Sequence, residues 1–183
     1  MGHGEDCKMA KKPLTDSQKY QRLRGALRRV TMQSYPVIAE AKLLAKRILN
    51  IDGKPTIRYV CNVCNEYFKS SEVAVDHVLP AGSLKSQPDL HPFLLRLFCN
   101  KEGLQVLCNE CHDRKTYAER YGVTLEEAAI SKKVIEFGKL SVNEQKKCLQ
   151  SLYDDVTITS FKNAEQRKAA YRASLLGGNN EQV

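Results

Sequence analysis

Four cysteines fall into two Cys-x-x-Cys pairs, Cys61 with Cys64 and Cys108 with Cys111. Zinc in a structural role prefers four tetrahedral thiolates, and two intervening residues let a tight turn aim both sulfurs at one ion. A closed sulfur shell leaves no coordination position for water, so the spacing predicts a structural zinc and not a catalytic one. The bland alternative is buried thiols acting as small hydrophobes; two pairs at the same spacing make it the weaker reading. Residues 65–107 separate the pairs, longer than a minimal zinc ribbon, which leaves room for a functional insert. Cys7, Cys99 and Cys148 have no partner at two-residue spacing and read as ordinary residues.

The insert contains Val75-Asp76-His77-Val78-Leu79-Pro80, and the second pair runs directly into Cys111-His112-Asp113-Arg114-Lys115-Thr116. On an extended segment Asp76 and His77 point to opposite sides. A lone histidine is more often a surface or core residue than a catalyst, but two stand here in fixed places relative to the cysteines. His3 and His91 occupy no such place. The order of these residues resembles the HNH endonuclease family, in its members with a four-cysteine zinc site. Their pattern is C-x-x-C, then D-H-hydrophobic-x-P, then N-L-Q-x-L-C-x-x-C-H-x-x-K-T. Cys61, Cys64, Asp76, His77, Pro80, Leu104, Gln105, Leu107, Cys108, Cys111, His112, Lys115 and Thr116 follow it in order, over about residues 58–121. One position departs: the asparagine before Leu-Gln is Gly103 here, with Asn100 and Asn109 as the neighbouring amides. In the family that asparagine ties the two strands of the hairpin and orients the histidine.

The resemblance implies a ββα-metal fold, a two-stranded hairpin and a helix with a metal between them, and metal-dependent hydrolysis of DNA phosphodiester bonds, by nicking or double-strand cleavage. That reaction needs an activated water, neutralised charge on the pentacovalent phosphate and help for the leaving 3′ oxygen. Histidine titrates near neutrality and suits a general base, so His77 takes that role. By resemblance, Asp76 and His112 bind the catalytic ion, magnesium or manganese, leaving positions open for water and phosphate. Lys115, one turn after His112, shares its helix face and is a candidate phosphate contact. Free-standing members of this size resemble those of phages and mobile elements.

The surrounding elements have to position these groups. The 183 residues suit one modest domain with flanking arms, or a small domain with a satellite. Thr15 and Gln18 form a capping-box pair, and Tyr20, Leu23, Leu27 and Val30 recur at helical spacing after it. Pro36 suits a first helical position, and Val37, Ile38, Ala41, Leu44, Ala45 and Ile48 extend a second helix. Asp52-Gly53 marks a turn, Thr56–Val60 a strand, and 72–79 and 104–107 further strands. Short helices are expected over 92–98 and 112–121, with Gly122 as a stop. Thr124 with Glu127 and Ser141 with Glu144 open a series of short helices, the last near 163–176, closed by Gly177-Gly178. The expected fold class is α+β, mostly helical: residues 1–13 disordered, a basic helical arm over 14–57, the zinc-stapled module over 58–121, and C-terminal helices over 122–183.

Charge points to a partner. The net charge is +8. Residues 1–58 hold 13 lysines and arginines against 5 acids, while the remainder is close to neutral. Arg22, Arg24, Arg28, Arg29, Lys42, Lys46 and Arg47 are therefore the expected contacts to DNA phosphates, which would give grip without sequence readout. The C-terminal helices are left to cover the module, form a homodimer or bind a protein partner. No apolar run approaches the roughly 20 residues of a membrane helix, and Met1–Lys12 lacks an apolar signal core. With an odd cysteine count, these features place the protein in a cytoplasm, that of the host cell if the chain is phage-encoded. Two further readings stay open: a non-catalytic zinc module that binds nucleic acid, and an interaction protein recruited to a larger assembly.

Overall fold

The computed structural model describes residues 12–177. The expectation of disorder over 1–13 therefore lies almost wholly outside the described residues, as does Gly178. The fold is α+β and mostly helical, with small antiparallel sheets. It divides into two compact units, one ending at Cys108 and the other beginning at Asn109.

The first unit opens with α1 (Asp16–Ser34). Thr15 accepts a hydrogen bond from the Gln18 amide at 3.3 Å and returns one from its own amide to the Gln18 side chain at 3.0 Å, the full capping box. Tyr20 and Leu27 turn inward against a core of Ala81, Leu84, Phe93 and Leu97. Pro36 ends this helix by holding Tyr35 extended, and starts α2 (Pro36–Leu44). Tyr35 is more than a hinge. Its hydroxyl lies 3.0 Å from the carbonyl of Phe98 and 2.8 Å from that of Cys99, and its ring meets Phe98 edge-on at 5.5 Å.

The second helix is shorter than its apolar spacing predicts. It stops at Leu44, and Lys46–Ile51 forms strand β1, so Ile48, Lys46 and Arg47 are strand residues. The basic arm is thus two helices and a hairpin, not helices alone. The reason is pairing. The β-branched stretch in β2 (Lys54–Val60) needs a partner, because a lone strand leaves its backbone groups unpaired, and Asp52-Gly53 supplies the turn. Both turn residues have positive φ, 53° and 76°, as the tight two-residue hairpin requires. β2 then pairs with the short β3 (Tyr67–Phe68), giving the order β1-β2-β3.

A separate two-stranded sheet joins β4 (Val73–His77) to β5 (Leu104–Cys108), with His77 opposite Leu104 and Asp76 opposite Gln105. The chain between them carries α3 (Leu90–Leu97), which lies on the core already named. Arg96 Nε donates to the carbonyl of Ala81 at 3.2 Å, and Asp89 accepts from the amides of Lys85 and Ser86 and from the Ser86 hydroxyl. The neck of this excursion is closed by the Val78 amide donating to the Gly103 carbonyl at 2.9 Å.

The second unit is all helical: α4 (Asn109–Tyr121), α5 (Leu125–Lys139), α6 (Val142–Leu149), α7 (Asp155–Ser160) and α8 (Ala164–Gly177). Gly122 stops α4 with φ of 64°. Both expected capping boxes are formed, at Thr124 and Ser141. These helices have their own core of Phe137, Leu149, Ile158 and Ala170, with Phe137 stacked on Tyr171 at 4.4 Å. The buried Arg167 donates to Gln145 at 2.7 Å, and Gln145 in turn donates to the carbonyl of Leu140 at 2.8 Å.

Candidate metal centre and histidine site

The first cysteine pair sits on the connection between β2 and β3. Cys61 begins a tight turn in which the Asn65 amide donates to the Cys61 carbonyl at 2.9 Å and the Cys61 amide to the Glu66 carbonyl at 3.0 Å. Asn65 takes a positive φ of 59° to complete it, a conformation asparagine tolerates better than most residues. Cys108 ends β5 and Cys111 is the third residue of α4, so the second pair spans a strand-to-helix junction.

One ligand sulfur from each of Cys61, Cys64, Cys108 and Cys111 lies within 4.8 Å of the others. A tetrahedron with zinc–sulfur bonds of about 2.3 Å places its sulfurs about 3.8 Å apart, so a small inward adjustment would close the shell. Three of the four residues are buried and Cys64 is partly so. This is the only group of three or more such ligands among the described residues. The donor set and its spacing fit a zinc ion.

Burial pushes the Cys61 thiol up, but amide donors from Cys64, Cys108 and Val63, with the Cys64 side chain, outweigh it and bring it down to about 7. The thiolate form that a metal needs is thereby favoured. Arg114 Nη2 lies 3.6 Å from Cys111 Sγ and 3.3 Å from Glu110. Its charge opposes the excess negative charge that four thiolates would leave on a divalent ion. Sequence reasoning passed over two supports. Arg114 is one. Asn62 is the other: its amide donates to the Val106 carbonyl at 2.8 Å and its side chain accepts from the Val106 amide at 3.1 Å, tying the first turn to β5. No motif position marks either residue.

His77 closes β4, half-buried, with Nε2 at 3.1 Å from the carbonyl of Leu97. A carbonyl can only accept, so Nε2 is the donor in this contact. The sequence gives no sign of Leu97 as partner, because 20 residues separate them. Asp76 is half-buried and paired opposite Gln105, on the face of the ribbon away from His77.

Gly103 stands where the resemblance expects asparagine. A Cβ placed there would meet Cys99 Sγ at 2.7 Å and Cβ at 2.8 Å, so the position has no room for a side chain. The Asn100 side chain accepts from the Gly103 amide at 3.3 Å and caps the short turn before β5. His112 and Lys115 lie on α4, both half-buried, and Lys115 forms an ion pair with Glu119 one turn on.

The expected DNA contacts divide. Arg22, Arg28, Arg29 and Arg47 are exposed. Arg24 is half-buried, and its Nε has no hydrogen-bond partner. Lys42 is committed within the molecule, donating to the carbonyl of Ser70 at 3.3 Å and sitting 5.2 Å above the Tyr59 ring. Among the described residues no helix is long and apolar enough to cross a membrane. Compared with family models, with curated proteins and with solved structures, the chain matches none.

Proposed function

We propose that the protein is a metal-dependent DNA endonuclease whose general base is His77, stapled by a zinc ion on Cys61, Cys64, Cys108 and Cys111. The observation that carries the reading is the bond between His77 Nε2 and the Leu97 carbonyl. It fixes the ring at the end of β4, and a general base in this position would take the proton on Nδ1. The strand–strand–helix order β4, β5, α4 and the gathered cysteines support it.

In this reading Nδ1 of His77 draws a proton from a water molecule as its oxygen attacks phosphorus. The P–O3′ bond breaks, leaving a 5′ phosphate and a 3′ hydroxyl. By the resemblance alone, Asp76 and His112 would hold a magnesium or manganese ion. When bound, that ion neutralises charge on the phosphate and stabilises the departing oxygen. Lys115 would need to exchange Glu119 for a phosphate oxygen to contribute. A phage or mobile element is the expected source, and the cell cytoplasm the expected place.

Supercoiled plasmid incubated with wild type and with His77→Ala, in magnesium or manganese, tests the assignment. Wild type should yield nicked or linear DNA, and the variant should be slower by on the order of 10²–10⁴-fold. Equal rates for the two proteins, zero included, would remove His77 from the chemistry.

A second reading, a zinc module that binds nucleic acid without cutting it, has one observation in its favour. Gly103 cannot be replaced by the expected asparagine without displacing Cys99. Plasmid that is bound and retarded by wild type but left intact with both metals would favour it.

A further inference from the structure

The β1–β2 hairpin begins in residues that apolar spacing assigned to a helix, Lys46–Ile48, and its register juxtaposes like charges. Arg47 stands directly opposite Arg58. Opposed like charges destabilise a strand pair, and a short hairpin has little stability to spare. Lys54 lies on the same face, opposite Ile51. Across residues 46–60 four cations, Lys46, Arg47, Lys54 and Arg58, meet one carboxylate, Asp52 at the turn.

None of these cations is in an ion pair among the described residues. Arg47 Nη1 donates to the carbonyls of Leu44 and Lys46, and Arg58 Nη1 to that of Ile57, contacts that hold the guanidinium groups without neutralising them. The other face carries exposed apolar side chains, with Ile48 69 % and Ile57 47 % exposed. Arg58, Leu49 and Thr56 are half-buried, but the exposed Arg47 and Lys54 and an arginine pair with no carboxylate beside it among the described residues are not explained by core packing.

We propose that this ribbon is the element that grips duplex DNA, entering the major groove with Arg47, Arg58 and Lys54 toward phosphates and base edges. The proposal rests on DNA being the substrate in the reading above. Charge complementarity selects the occupant: a polyanion relieves the repulsion between Arg47 and Arg58. Dimensions agree, since six paired residues span roughly 20 Å and the major groove, about 12 Å wide, admits a two-stranded ribbon. Arginine in that groove can also read guanine, so the ribbon offers sequence preference that helix-borne phosphate contacts do not.

The test is duplex binding by fluorescence anisotropy across a salt series, with full-length protein carrying His77→Ala so that the DNA stays intact. Arg47→Thr/Arg58→Thr should weaken binding at least tenfold near 0.1 M salt and flatten the slope of log affinity on log salt by about 2. Lys146→Ser/Lys147→Ser, on exposed α6 positions and equal in charge removed, should do neither. Arg47→Lys/Arg58→Lys should keep most of the affinity, and the threonine variant should melt no lower than its parent, because it loses a repulsive pair. Affinity in the threonine variant equal to that of the α6 control overturns the proposal, and so does failure of the parent to bind duplex. Polyglutamate of matched length bound as tightly as DNA overturns the choice of occupant. Ribbon-dependent binding alongside intact plasmid in the wild-type cleavage assay supports the ribbon while removing the nuclease reading.

Discussion

Single side chains carry the proposed metal and histidine sites, and each makes a distinct prediction. A Cys61→Ser or Cys108→Ser change should release the bound metal and unfold the segment around it, because structural zinc contributes its binding energy to folding. Zinc content and circular dichroism of the purified variants check this; unchanged dichroism without metal would mean that the cysteines are not a staple. Gly103 makes the opposite kind of claim. Gly103→Asn restores the residue expected by resemblance, yet it drives a Cβ to 2.7 Å from Cys99 Sγ. Overpacking of this kind costs about 1–3 kcal/mol, so the variant should melt lower than its parent. An unaltered or raised melting temperature would show that Cys99 yields freely. The cysteine spacing was legible because ligand geometry leaves a short-range signature. Leu97, Asn62 and Arg114 were not, because their roles depend on where a distant or adjacent turn delivers an atom.

At the scale of elements, local signals with a mechanism were readable, and periodicity succeeded for α1 and β4 but not throughout. The capping boxes at Thr15, Thr124 and Ser141, the Asp52-Gly53 turn and the stop at Gly122 stand where their side-chain chemistry predicts. Residues 46–48 show the failure. Their apolar spacing suits a helix, but the downstream strand claims them as its partner, and tertiary pairing overrides a weak propensity. Gly53→Val should therefore unsettle the β1–β2 hairpin, since a β-branched residue is strained at φ of 76°; loss of at least 1 kcal/mol in a urea melt is expected. Two helix starts carry a pH prediction. The Ser141 hydroxyl and amide hold Glu144, and the Thr157 amide and hydroxyl hold Asp154, below the ordinary carboxylate range. A depressed folded pKa adds stability above the unfolded value that is lost as pH falls through the folded one. Helicity should then drop below about pH 4, and Asp154→Asn should remove part of that acid dependence in a dichroism titration.

Across the whole molecule, charge and core are distributed unevenly. The positive excess lies upstream of the first cysteine pair, while the helices after Asn109 are nearly neutral and hold a separate core. Composition could place the charge but not that core, because its members are spread from Phe137 to Ala170 and are joined only by folding. Leu149 is fully buried within it. Leu149→Ala should cost about 2–5 kcal/mol in that unit, read by a urea melt of its helices. The proposed nuclease would divide labour between a sulfur-bound ion that shapes the site and a second, oxygen-loving ion that reacts. One preparation tests it, assayed for zinc by elemental analysis and for plasmid nicking before and after magnesium or manganese is added. One zinc per chain, with cleavage only after the addition, is the predicted result. Intact plasmid throughout, or cleavage indifferent to the added metal, would contradict it.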